Sequence, residues 1–205
     1  MEFETSKNLS GIGAVLMFIS VIPYISGYTF GLVGLAGLIL LLLGMKGLAD
    51  YYQESSIFNN ALYGSIVGIV GGVTFVAIII YAAFGLMTNL LPNWKGDWTN
   101  IPQINPSEIT ANIDLNVILP FVSIVLLALV LLFVFVVVVA ILYRKSLNTL
   151  KDKSGVGLFG TAATVLLVGG VLTIILIGVF LVWIAVLLAA IAFFQLRPRQ
   201  NPSTP

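Results

Sequence analysis

Charged residues fall in narrow clusters along the chain and leave four tracts without any: residues 8–45, 55–94, 115–143 and 154–196. Each exceeds the roughly 20 apolar residues that carry one helix through hydrocarbon. The first and last tracts run to about forty residues, too long for one crossing and long enough for two at ~1.5 Å per residue, so each reads as a helical hairpin. In the first, IPYISGYTFG supplies Pro23, Ser26, Gly27 and Gly31 as turn residues. In the last, only Thr173 and Gly178 punctuate the run, which places its turn near 174–178. The two middle tracts each read as one long helix, closed before Pro92 and opened around Pro120. The expected fold is all-α, a polytopic transmembrane helical bundle forming a single domain. Its six membrane helices are expected at 10–22, 32–49, 61–91, 117–143, 158–173 and 179–196. They follow the order hairpin, long helix, outer loop (92–116), long helix, hairpin, and a tail (197–205) comes last.

Composition agrees with a membrane address: 60% of the residues are hydrophobic and 8% charged, far from the balance of a soluble domain. The few charges also orient the chain, because Lys and Arg near membrane ends favour the cytoplasm. With six crossings, Lys7, Lys46, Arg144, Lys145, Lys151, Lys153, Arg197 and Arg199 share one side and only Lys95 takes the other. Four long crossings would divide them almost evenly. Both termini are therefore expected in the cytoplasm of a cell-membrane protein. The start, MEFETSKNLSGIGAVLMF, lacks a small-x-small cleavage pattern and reads as a retained first helix. At about fourteen residues that helix would cover roughly 21 Å of a roughly 30 Å core, so tilting or partial insertion is expected. Trp94, Trp98 and Trp183 fall at the expected outer edge, and Tyr51, Tyr52 and Tyr143 at the inner one.

The two inner linkers resemble one another. KGLADYYQESSIFNNAL and KSLNTLKDKSGVGLFGTAA share Lys-x-Leu, a later Ser, and Phe-x-x-Ala opening the next helix. Gly71-Gly72-Val73 is echoed by Gly169-Gly170-Val171. Internal duplication would explain the match, and chance likeness between apolar helices is the alternative.

The same linkers carry a wider resemblance. The runs SGIGAVLMFISVIPY, GLVGLAGLILLLLGMKGLADYYQESSIFNNALYG, GVGLFGTAATVLLVGGVLTIILIG and IAVLLAAIAFF are similar to the archaeal multi-pass membrane family of domain of unknown function 996. Its most specific pieces are Leu48-Ala49-Asp50-Tyr51-Tyr52 and Ser56-Ile57-Phe58-Asn59-Asn60-Ala61-Leu62, whose polar residues membrane composition does not force. The resemblance implies archaeal origin and a membrane location, and implies no activity.

Candidate chemistry is sparse. The chain has no Cys and no His, which removes thiolate metal sites, haem imidazoles and histidine acid–base catalysis. No acid or base lies within the expected spans, where proton- and ion-coupled carriers place them. Neither an enzyme nor a resident metal or cofactor is expected, and a formal charge of +1 gives no reason to propose nucleic acid. Asp50 and Glu54, four apart with Lys46 before them, read as a solvated helix end rather than as a cation site. YRKSLNTLKDKSG, carrying Arg144, Lys145, Lys151 and Lys153, is sufficiently explained by its topological role. The polar stretch from Trp94 to Asp114, with Trp94 and Trp98 at its start, reads as a contact surface.

What remains is YGSIVGIVGG, with Gly64, Gly68 and Gly72 four residues apart and Ala61 and Ser65 on the same face. Between lipid-embedded helices, close approach depends on small residues. A pore would need more polar lining than Ser65, Thr74 and Tyr81 supply. The stripe therefore reads as a glycine-zipper packing seam on a central helix, and the bulky 117–143 helix as the lipid-facing one. The expected function is a non-enzymatic accessory or structural subunit of a membrane assembly, in contact with the bilayer and with copies of itself or other subunits. A passive channel or small-solute transporter built from several copies is the alternative.

Overall fold

The computed structural model describes residues 2–21, 30–91 and 114–198. Among them are six α-helices: α1 (Phe3–Ser20), α2 (Phe30–Tyr52), α3 (Ser55–Leu90), α4 (Leu115–Ser154), α5 (Leu158–Leu172) and α6 (Ile177–Phe194). A single 3-10 turn, Thr173–Ile175, joins α5 to α6. Five helical stretches, α2, α3, α4, α5 together with its 3-10 turn, and α6, are long and apolar enough to cross a membrane. The fold is an all-α helical bundle.

Helix ends extend beyond the uncharged tracts wherever the polar residues are themselves compatible with a helix. α1 begins at Phe3 instead of residue 10, because Glu4 and Lys7 pair across one turn at 2.9 Å and Phe3 is buried against Tyr51 and Tyr52. α4 runs to Ser154, past the expected end at 143, because Ser146, Leu147 and Leu150 keep a buried stripe through its charged last turns. It opens at Leu115, where Asp114 accepts from the Leu115 N–H at 2.6 Å and its carbonyl accepts from Val117 and Ile118. Pro120 lies inside this helix, near its start.

The chain divides into two compact units, residues 69–134 and the remainder. In the larger unit α1 packs on α2, α5 on α6, and α1 on α6. Glycine permits these contacts at the backbone level. A Cβ at Gly13 would collide with the backbone of Gly37 and Leu41, and one at Gly44 with Ser10 and the Ser6 carbonyl. Gly178 sits equally close to the Gly169 carbonyl and the Thr173 N–H. Trp183 closes the α1–α6 contact: its ring stacks on Phe18 with centroids 4.4 Å apart, and its indole N–H donates to the Phe18 carbonyl at 3.0 Å. Its role is a clamp between helices, beyond the interfacial anchor expected from its place in the sequence. Leu48, Ile57, Ala61, Leu150, Phe159 and Phe193 are among the fully enclosed residues of the core.

The smaller unit holds the Ile69–Leu90 part of α3 and the Leu115–Val134 part of α4. Ala82, Leu91 and Ala128 are buried, while Val73, Ile80, Leu119 and Leu127 are widely exposed. Its polar side chains turn back on their own helices: Thr88 and Asn89 donate to the Gly85 carbonyl, and Ser123 to that of Leu119.

Candidate functional site

Ala61, Gly64, Ser65 and Gly68 lie on the part of α3 that belongs to the larger unit, and α4 covers much of this face. Ala61 is fully buried. Ser65 donates its proton to the Ala61 carbonyl at 2.8 Å, so the Tyr143 hydroxyl, 2.7 Å away, donates to Ser65. That bond draws the tyrosine ring across Gly64, where a Cβ would come within 2.9 Å of the ring. Gly68 is less confined, with a Cβ in ordinary contact with Val139 at 3.6 Å. A Cβ at Gly72 would meet nothing within 4 Å among the described residues. The five stripe residues thus separate into a contact within the chain and an open continuation. Trp94 and Trp98 lie outside the described residues.

In their most apolar 18-residue windows, 11% of residues are buried in α3 and in α4 against 39% in α2. The tightest glycine contacts, at Gly13, Gly44 and Gly178, were not singled out by sequence spacing. Glycine content alone does not say which helix approaches which, and that pairing is what makes these positions tight.

Where the chain turns between α2 and α3, Gln53 adopts a left-handed conformation with φ 51°. Its N–H bonds to the Asp50 carbonyl and that of Glu54 to Ala49, closing the helix end. In the second linker Gly155 occupies the corresponding left-handed position with φ 74°, its N–H on the Lys151 carbonyl. Glu54 then joins the two linkers: it accepts from Ser56 at 2.8 Å and pairs with Lys153 at 3.1 Å. The Ser56 hydrogen bond, and after it Lys153, hold the Glu54 carboxyl below the usual carboxylate range. Nearby, buried Ser146 of α4 donates to the Ile57 carbonyl of α3. Matching linker positions are matched in burial as well, with Gly47, Leu48 and Ala61 enclosed like Ser146, Leu147 and Ala162. Among the described residues no group of three His, Cys, Asp or Glu side chains could hold a metal ion.

A family model described as protein of unknown function (DUF996) matches residues 33–187, from α2 into α6. The chain belongs to this family. The match spans the glycine face, both linkers and the α5–α6 hairpin, and begins after α1. An uncharacterized protein of Methanocaldococcus jannaschii is 26% identical over 196 residues, covering 96% of this chain and 94% of the relative. The DUF996 chain therefore has an archaeal relative that matches it over nearly its whole length. No solved structure matches it.

Proposed function

We propose that this membrane protein is a non-enzymatic structural or accessory subunit of an assembly in the cell membrane, with both termini on the cytoplasmic side. The observation that carries the proposal is the open continuation of the α3 small-residue face at Gly72, beyond the part that Tyr143 and Val139 cover. In a bilayer, a face that admits close backbone approach is where a second helix gains van der Waals contact that lipid tails supply less well. The buried serines support the reading, since Ser6, Ser10, Ser65 and Ser146 all bond to main-chain carbonyls of the chain itself. Ser146 thereby ties α4 to α3, and the other three bond back along their own helices, so these hydroxyls are engaged within the chain.

The test is replacement of Gly72 by Leu, with the tagged protein extracted from its native membrane in mild detergent. Loss of co-purifying subunits with an unchanged unfolding temperature is the expected result. Retention of the same subunits in the same stoichiometry would overturn the role of this face. Recovery of a closed ring of identical copies that conducts small solutes in liposomes would replace the accessory reading with a channel.

A further inference from the structure

At the end of the larger unit where α1 and α5 begin and α6 stops, the surface opens into a cleft of about 720 Å³. Its walls come from three separate pieces of chain: Lys7 of α1, the linker from Ser154 to Gly157, and the stretch from Phe194 to Arg197. Two features of the lining are informative together. It contains two cations, Lys7 and Arg197, and no carboxylate. It also has an apolar side formed by Val156 and Phe194. Glu4 pairs with Lys7 at 2.9 Å from outside the lining, and its own side chain is half-exposed.

We infer that this cleft binds a phosphate ester, with Lys7 and Arg197 holding the phosphate oxygens and the Val156–Phe194 side receiving the apolar remainder of the ligand. The volume lies within the range of about 300–1,000 Å³ typical of small-molecule sites and well exceeds that of a bare oxyanion. The guanidinium can meet two phosphate oxygens at once, while the ammonium acts as a point charge. Gly155 and Gly157 leave only Ser154 and Val156 as side chains on the linker wall, and Gly157 caps the start of α5, the positive end of a helix dipole. The polar flanks of apolar α1 and α6 are where lipid phosphates lie, so a phospholipid headgroup and a soluble phosphate ester both carry the required chemistry.

Full-length protein in phosphate-free maltoside micelles provides the test. One arm adds phosphatidylglycerol and counts bound lipid by native mass spectrometry. The other titrates glycerol 3-phosphate and inorganic phosphate by calorimetry. Saturable binding of one phosphate-bearing probe per chain is expected, weakened about fivefold by Lys7→Gln or Arg197→Gln and unaffected by Lys46→Gln, which lies outside the cleft. Saturation by phosphatidylglycerol alone identifies a lipid site, and saturation by the soluble esters a metabolite site. Glu4→Gln, which frees Lys7, should tighten binding, and it keeps the proposal testable if Lys7→Gln fails to fold. Equal losses in all three cation variants, an unchanged Glu4→Gln affinity, or no saturable binding of any phosphate probe would overturn the assignment.

Discussion

Gln53 occupies a backbone conformation that costs a residue with a Cβ about 1–2 kcal/mol, yet the helix end it closes needs that conformation. Gln53→Gly should therefore raise stability by about 1 kcal/mol, read as a higher midpoint of thermal unfolding in detergent. The glycines separate into two kinds. Gly44→Ala should cost about 1–3 kcal/mol, since the new methyl meets the backbone of α1, whereas Gly72→Ala should be neutral or slightly stabilising, since nothing faces it. Parallel unfolding curves for the two variants would contradict the close contact at Gly44. For Glu54 the sign follows from its lowered pKa: the folded protein binds this proton less readily than the unfolded chain. Its contribution is thus present above the ordinary carboxylate pKa of 4.5 and is lost as pH falls through the lower folded value. The difference in unfolding temperature between the native protein and Glu54→Gln should shrink across that acidic range and stay constant above it.

At the scale of the element, the number, order and type of helices were legible because apolar runs longer than a bilayer is thick leave few other solutions. The ends were less so. Charge marked where hydrocarbon stops, but helices continue past that point wherever ion pairs or a buried stripe support them, as at Glu4–Lys7 and along Ser146, Leu147 and Leu150. The glycine spacing in α3 exposed a smooth face without saying who meets it. Tyr143 covers Gly64 through its bond to Ser65, a pairing 78 residues apart that no local pattern encodes. Trp183 illustrates the same limit, its indole being held by a carbonyl 165 residues away. Trp183→Phe keeps an aromatic ring for stacking and removes the hydrogen bond, so it should destabilise the α1–α6 contact by about 1 kcal/mol, measurable by unfolding. A loss no larger than that of an exposed surface substitution would place the anchoring of α1 elsewhere.

Taken as a whole molecule, the protein keeps its charges out of the four long apolar tracts, and among the described residues its buried serine hydroxyls bond within the chain. Of its small residues, many are spent on contacts within the larger unit, at α1–α2 and α5–α6, while Gly72 and Gly85 of α3 face open space. That division is the physical basis for reading the protein as part of an assembly. The most direct measurement is the native mass of the tagged protein extracted from its own membrane in nanodiscs, with each co-purifying chain identified. A stoichiometric complex heavier than the single 22.0 kDa chain, containing a different membrane protein, is the predicted result. A lone chain at 22.0 kDa, with no partner recovered under conditions that preserve other membrane complexes, would contradict it.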